Sequence, residues 1–320
     1  MPLFRFRTAA VLLAAGAAVL GLALPAQARA LPVNYDFALG ALAGFAHPQT
    51  PPPGADNGCQ PPAAHPEPVI LVNGTFANQD DNWQAASPLL ANHGYCVFTF
   101  NYGGPSASSI VQGTGDIATS AGQLGAFVTT VLGETGAAKV DLVGHSQGGM
   151  MPRYYLKFLG GAAHVDKLVA LAPSNHGTTL DGLTALVTAL GQVLGSGLVN
   201  GAINALCTAC VQQEVGSPFL TNLNAGGETV AGVGYTVIES RYDEVVTPYT
   251  SAFLSGSGSG VSNILLQNQC ALDLSDHLEI AADPVALADV LNALDPAHPV
   301  RVPCLTVLPI TGPVGPVPSF

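Results

Sequence analysis

Short apolar runs alternate with longer amphipathic segments along most of the chain. Six of these runs are bounded by Gly, Pro or polar residues and have the length expected of buried strands in a parallel sheet. They predict strands at residues 69–72, 96–100, 140–143, 168–171, 235–238 and 263–266.

The segments between these runs have helical character. Residues 116–133, for example, place Ile117, Ala121, Leu124 and Val128 on one face, which is the spacing of an amphipathic helix. Further helices are predicted at residues 83–93, 151–158 and 285–294, with a bend at Pro152. Strands that alternate with helices predict an α/β fold, in which helices cover both faces of a mostly parallel sheet.

One long stretch breaks the alternation. Residues 180–220 are rich in Leu, Val, Ala and Gly, and their only charged residues are Asp181 and Glu214. The stretch is either a pair of core helices or an apolar cap over a functional site. Its length and its lack of a polar face favour the cap.

The remaining segments define the domain organisation. Residues 31–68 are rich in Pro, Gly and Ala and predict an extended arm. Residues 69–296 form one α/β domain, which contains the cap-like insertion at about 180–220. Residues 297–320 form a Pro-rich surface tail.

The first 30 residues have the pattern of a secretory signal peptide. Arg5 and Arg7 precede an apolar run at residues 9–24, and Ala28-Arg29-Ala30 is a small-x-small cleavage site. The alternative is a membrane anchor, but this run is shorter than the ~20 residues that a spanning helix needs. The pattern predicts secretion of a chain without a transmembrane segment.

Charge excludes some partners. Three of the nine Lys and Arg residues lie in the predicted signal peptide, so the rest of the chain has 6 basic and 21 acidic side chains and a formal charge of −15. Such a surface disfavours binding to nucleic acid. High aliphatic content with few charged residues indicates a well-filled core, and we expect a soluble monomer.

Six cysteines follow the predicted signal peptide, an even number that is typical of a disulfide framework in a secreted protein. Pairing in chain order would join Cys59 to Cys96, Cys207 to Cys210 and Cys270 to Cys304. The Cys207-x-x-Cys210 spacing is also that of redox and zinc pairs, but the surrounding sequence has neither a thioredoxin-like context nor further ligands.

The clearest chemical motif is Gly144-His145-Ser146-Gln147-Gly148. It lies between a predicted strand and a predicted helix, which is the setting of a nucleophilic serine on a sharp turn. Side chains at Gly144 and Gly148 would collide with neighbouring elements. An ordinary tight turn is the alternative, and the flanking strand and helix argue against it.

A nucleophilic serine needs a base and an acid. Among eight histidines, His277 follows the sixth predicted strand and precedes the last helix, where the base is expected. His176 could line a pocket, and His145 should project to the other side of the turn. The acid should lie between serine and histidine in the chain. Asp243 follows the fifth strand and is the candidate, with Glu244 as its neighbouring rival.

An oxyanion hole should complete this constellation. One donor is expected to be the backbone N–H of Gln147, the residue after the serine. The second is expected from the loop after the first strand, where the N–H of Thr75, and also its hydroxyl, are candidates. A plain strand-ending turn is the alternative reading of this loop.

These segments together resemble the secreted bacterial class 2 lipases over about residues 68–296. The likeness rests on the segments Asn73-Gly74-Thr75-Phe76, Asp81-Asn82-Trp83, Gly144-His145-Ser146-Gln147-Gly148-Gly149, Tyr242-Asp243-Glu244-Val245-Val246-Thr247-Pro248 and Ser275-Asp276-His277-Leu278. It implies an extracellular triacylglycerol lipase or esterase with the α/β-hydrolase fold and the triad Ser146, Asp243 and His277. Such enzymes usually carry His-Gly where this chain has Asn73-Gly74.

The expected reaction is hydrolysis of a carboxylic ester, which needs neither a metal nor an organic cofactor. The same triad could serve a polyester hydrolase or an acyltransferase. A catalytically inactive binding protein on the same fold is the non-enzymatic alternative, and the intact Ser, Asp and His in their usual order argue against it.

Overall fold

Six parallel strands form the central sheet of the computed structural model, which describes residues 30–197, 207–256 and 260–320. Their spatial order is β2-β1-β3-β4-β5-β6. The strands are β1 Val69–Val72, β2 Val97–Thr99, β3 Val140–His145, β4 Val165–Leu171, β5 Gly234–Glu239 and β6 Val261–Leu265. The predicted parallel sheet is therefore confirmed, with strand ends that differ from the prediction by at most three residues.

The apolar runs explain where the sheet is buried. Every residue of β1 and β3 is buried. Because successive side chains of a strand point to opposite faces, the centre of the sheet is covered on both sides. The edge strand β6 is partly exposed, in keeping with its polar residues Ser262 and Asn263.

Nine α-helices accompany the sheet in the described ranges. They are α1 Phe37–Phe45, α2 Ala86–Asn92, α3 Ile117–Thr135, α4 Gln147–Phe158, α5 Leu180–Leu194, α6 Thr208–Gln212, α7 Pro218–Asn224, α8 Leu266–Gln269 and α9 Pro284–Leu294. Helix α3 is capped at its start by Asp116, whose side chain accepts the N–H of Thr119, and at its end by Gly136 in the left-handed conformation. Helix α4 continues through Pro152, where the sequence predicted a bend.

Helix α1 differs from the extended arm predicted over residues 31–68. The Asp36 carboxylate accepts the N–H of Leu39 and caps the helix, and Phe37 and Ala41 are buried. The helix packs against α5 of the insertion, which gives its apolar face a partner. Proline enrichment elsewhere in the segment concealed this helix, whose nine residues include no proline.

The insertion between β4 and β5 contains α5, α6 and α7. Leu186, Ala189 and Leu190 of α5 are buried, so part of the apolar character of the insertion is used in packing against the body of the protein. Residues 198–206 of the predicted cap lie outside the described residues.

Three disulfides pair the cysteines in chain order, as the sequence predicted: Cys59–Cys96, Cys207–Cys210 and Cys270–Cys304. The last one attaches the tail to the segment after α8. A short antiparallel hairpin, β7 Val307–Leu308 and β8 Gly312–Pro313, lies in this tail. The predicted signal peptide, residues 1–30, lies outside the described residues except for Ala30. Within the described ranges, no helix is long and apolar enough to cross a membrane.

Candidate active site

Ser146 lies at the apex of the turn between β3 and α4. Its backbone has φ 55° and ψ −122°, a conformation that residues with a side chain rarely adopt. A Cβ atom on Gly144 would collide with the carbonyl of Gly148, and one on Gly148 would collide with the carbonyl of Val72 in β1. Both glycines are therefore required by the close approach of backbone to backbone, as the motif predicted.

The structure brings the three predicted side chains into one hydrogen-bonded chain. His277 Nε2 lies 3.0 Å from Ser146 Oγ, and His277 Nδ1 lies 2.7 Å from Asp243 Oδ2. The side chains of His277 and Asp243 are fully buried. A carboxylate at Nδ1 keeps the proton on that nitrogen, so Nε2 is left as an acceptor that faces the serine hydroxyl.

Asp243, and not its neighbour Glu244, is the carboxylate partner of the imidazole ring. The other oxygen of Asp243, Oδ1, accepts the N–H groups of Val245 and Val246, each at 2.7 Å. Glu244 instead accepts the backbone N–H of His277 at 3.4 Å. The loop after β5 thus uses its own backbone to hold Asp243 against the ring.

The charges around His277 increase its basicity. Burial by itself disfavours the imidazolium, but the charge and hydrogen bond of Asp243, together with the carboxylates of Glu244 and Asp276, outweigh this effect. The net result is a pKa of His277 above the ordinary histidine value of 6.5. A base of this kind accepts a proton readily near neutral pH.

A second histidine lies beside the first. The His145 and His277 rings have centroids 5.1 Å apart. His145 Nε2 donates to the carbonyl of His277 at 2.8 Å, and Nδ1 accepts from Asn82 Nδ2 at 3.2 Å. Burial lowers the pKa of His145 to about 3, so the ring is neutral, as one donor and one acceptor contact require. The sequence placed His145 on the other side of the turn and did not anticipate this support of the His277 backbone.

The two predicted oxyanion residues lie next to each other. Gln147 Nε2 donates to Thr75 Oγ1 at 2.8 Å and to the carbonyl of Gly113 at 2.7 Å. In the part of the chain that the structure describes, neither the backbone N–H of Thr75 nor that of Gln147 donates to a protein acceptor. Both N–H groups are therefore free to bind a developing negative charge.

The Thr75 hydroxyl is oriented by two amides. Besides Gln147, the side chain of Gln213 donates to Thr75 Oγ1 at 2.9 Å. Two incoming donors occupy both lone pairs of the hydroxyl oxygen, so its own proton must point elsewhere. Gln213 follows α6 of the insertion and was not a candidate in the sequence, because 138 residues separate it from Thr75.

Asn73 stabilises the loop after β1 through hydrogen bonds. It stands where class 2 lipases usually carry histidine. Its Nδ2 donates to the carbonyls of Ala77 at 2.6 Å and Gly74 at 3.1 Å, while the Tyr102 hydroxyl donates to the Asn73 carbonyl. Asn82 Oδ1 accepts the N–H of Gly74 at 2.8 Å. These contacts fix the backbone that carries Thr75.

His176, the other histidine considered for the pocket, does not join this chain of hydrogen bonds. Its ring contacts the Ser251 carbonyl at 2.8 Å and the Glu228 carboxylate at 2.9 Å. It is a support for the loops after β4 and β5.

The fold and the site define the class of protein. A parallel sheet with serine on the turn after one strand, an acid after a later strand and histidine after the last is the arrangement of the α/β-hydrolases. The crystal structure of Aspergillus fumigatus lipase B superposes with a TM-score of 0.60 and 24% sequence identity, over 79% of this chain and 56% of that chain. The protein therefore has the α/β-hydrolase fold.

The particular family follows from the sequence. The chain belongs to the class 2 lipase family, whose sequence model matches residues 66–287. Triacylglycerol lipases of Pseudarthrobacter phenanthrenivorans and Burkholderia plantarii are each 42% identical to it over 97 residues, which is 29% of this chain and 28% and 25% of theirs. The match thus spans little more than a quarter of these relatives.

Proposed function

We propose that the protein is a secreted carboxylic-ester hydrolase that acts on triacylglycerols or simpler esters through Ser146, His277 and Asp243. The observation that carries the proposal is the unbroken hydrogen-bonded chain from Ser146 Oγ through the His277 ring to Asp243. The class 2 lipase family and the two triacylglycerol lipases support an ester of this kind as substrate.

The reaction begins when Ser146 Oγ attacks the ester carbonyl carbon while its proton moves to His277 Nε2. Asp243 stabilises the imidazolium that forms. Collapse of the tetrahedral intermediate breaks the bond to the alcohol, which leaves with the proton from His277 and gives an acyl-enzyme. Water then repeats the sequence in place of Ser146, so that a carboxylic acid leaves and the serine is restored.

Negative charge develops on the former carbonyl oxygen in both tetrahedral intermediates. We assign its stabilisation to the backbone N–H groups of Thr75 and Gln147, with the Thr75 hydroxyl as a third donor. Since Gln147 and Gln213 fix that hydroxyl before substrate binds, little reorganisation is needed in the transition state.

The insertion between β4 and β5 is the proposed acyl-binding wall. Helix α5 begins close to the loop after β5 that carries Asp243. The approach is so close that a Cβ atom on Gly182 would collide with the carbonyl of Val245. An open cleft of about 460 Å³ lies between α5 and Glu244. Each methylene of an acyl chain buried along such a wall contributes ~0.8 kcal/mol, which would favour medium or long chains over acetate.

Secretion is supported by the three disulfides, which persist in oxidising compartments. The amino-terminal sequence pattern points the same way.

The direct test of the triad is a comparison of variants on p-nitrophenyl esters and a triglyceride emulsion. Ser146→Ala should lower kcat on the order of 10⁶-fold, and Asp243→Asn on the order of 10⁴-fold. Glu244→Gln is the matched control, since it changes the adjacent carboxylate, and its loss should be far smaller. A folded Ser146→Ala protein that turns over esters at near the wild-type rate would falsify the proposal.

A further inference from the structure

A second buried carboxyl group, Glu239, lies behind the candidate acid. Glu239 is the last residue of β5 and is completely buried. Its Oε1 accepts the backbone N–H of Ser240 at 2.7 Å. Among the described residues, it forms no ion pair with a lysine or arginine. An ionised carboxylate in such a place would lack a compensating charge.

The Glu239 side chain lies beside the Asp243 carboxyl group. Within the described ranges, no N–H or neutral hydroxyl donates to Glu239 Oε2, yet the Glu239 and Asp243 side chains are in hydrogen-bonding contact. Two carboxylates cannot donate to each other. The contact is a hydrogen bond only when one of the two groups carries a proton.

The hydrogen-bond donors around the two carboxyl groups indicate whether Glu239 or Asp243 holds the proton. Asp243 accepts the N–H groups of Val245 and Val246 and the ring N–H of His277, so both of its oxygens already act as acceptors. Among the residues that the structure describes, Glu239 accepts only the N–H of Ser240. Burial, followed by the charge of Asp243, raises the pKa of Glu239 well above its usual range.

We propose that Glu239 is a neutral carboxylic acid whose Oε2–H donates a fourth hydrogen bond to Asp243, and that it is a positioning residue for the triad. This inference rests on the proposed function, because its consequence is expressed through His277. A carboxylate has room for about four hydrogen bonds, so Glu239 completes the set around Asp243. The bond draws negative charge away from the imidazole and restrains the basicity of His277.

The other charged groups near the site make a neutral Glu239 necessary. Glu244 and Asp276 both face the pair formed by Asp243 and His277. A fourth ionised carboxylate would overstabilise the imidazolium, which would then hold its proton at the pH where Ser146 needs a free base. Like charges at such short range drive one group to remain protonated.

The test is the acid limb of the pH profile of kcat/KM in two variants. In Glu239→Gln, the amide replaces the carboxylic O–H as donor to Asp243 and its oxygen still accepts from Ser240. The limb should stay within about 0.2 units of wild type, because no charge has been removed. In Glu239→Leu, the fourth hydrogen bond is lost, the limb should move up by about 0.5–1 unit, and kcat/KM should fall about tenfold.

Asp283→Asn is the matched control. Asp283 forms a similar buried acid pair with Asp273, but it contacts neither Asp243 nor His277. Its variant should leave the acid limb in place even if stability changes. Infrared difference spectra of wild type against Glu239→Gln provide a readout independent of activity, and should contain the carbonyl band of a protonated carboxylic acid.

The outcomes separate this inference from the proposed function. A downward shift of the acid limb in Glu239→Gln would mean that wild-type Glu239 is ionised, and would overturn the inference. The absence of the protonated-acid band would overturn it as well, even if Glu239→Leu fails to fold. Full activity of Ser146→Ala would instead overturn the proposed function and leave the infrared result standing.

Discussion

Thr75 has two proposed roles at the residue scale, since its backbone N–H and its hydroxyl are both proposed as donors to the oxyanion. Thr75→Val keeps the shape of the side chain but removes the hydroxyl. One lost donor of this kind costs on the order of 10²-fold in kcat. Thr75→Ser keeps the hydroxyl and is the control, so its kcat should remain close to wild type. Equal losses in the two variants, measured on one ester, would remove the hydroxyl from the mechanism.

His277 determines a second prediction at this scale. The free enzyme needs a neutral imidazole, and Asp243 raises the pKa of His277 above 6.5. Activity should therefore be lost as pH falls through a midpoint above 6.5, and should be retained on the alkaline side of that midpoint. The measurement is kcat/KM against pH at constant ionic strength. A profile that stays flat down to pH 4 would argue against a histidine base.

The sequence predicted Ser146, Asp243 and His277 because their chain order and their positions after strands follow from the fold. It did not predict the residues that support them. Gln213, Glu239 and Asn82 act through contacts that only the folded chain creates. A buried glutamate at the end of an apolar strand is a signal that could have been noticed, since a charged group there needs a partner.

At the scale of elements, strands with purely apolar sequences were predicted best. Strand β4 begins at Val165, three residues before the predicted start, because the polar Asp166 and Lys167 interrupt the apolar run. Lys167 lies 3.6 Å from Asp141 of the neighbouring strand, so tertiary pairing allows a polar pair inside the sheet. Helix α1 was missed because proline enrichment around it predicted an extended arm, and because its partner, α5, is distant in sequence.

Helix α5 carries the prediction for substrate selection. Leu194, its last residue, is partly buried. Leu194→Asp should depress turnover of an octanoate ester far more than that of an acetate ester, because a long chain must desolvate the new charge. Leu272→Asp is the control, since Leu272 is exposed outside the insertion. Equal losses on both esters in Leu194→Asp would mark α5 as structural core.

Val199, another position of the predicted wall, lies outside the described residues.

At the scale of the whole molecule, buried acids link stability to pH. Burial raises the pKa of Asp141 to about 7 and that of Asp289 to about 6. The folded chain thus holds protons on these two groups that the unfolded chain has already released, so their contribution to stability is greatest at low pH and is lost as pH rises through these values.

The free energy of unfolding should therefore fall between pH 6 and pH 8. A single group with a pKa near 7 contributes about 1.4 kcal/mol to that fall. Urea unfolding at fixed high salt, which screens the general repulsion of the acidic surface, measures it. Asp141→Asn should show a shallower fall than wild type. Stability that is constant or increases over this interval would contradict the assignment of neutral buried acids.

The central claim is that Ser146 is an activated nucleophile, and a fluorophosphonate probe tests it without any choice of ester. One label per molecule is expected, mapped to Ser146 by peptide mass spectrometry. Ser146→Ala should take up no label, and His277→Ala should react far more slowly, since the base is needed to activate the serine. A folded protein that takes up no label, or that carries it on another residue, would show that Ser146 is not an activated nucleophile.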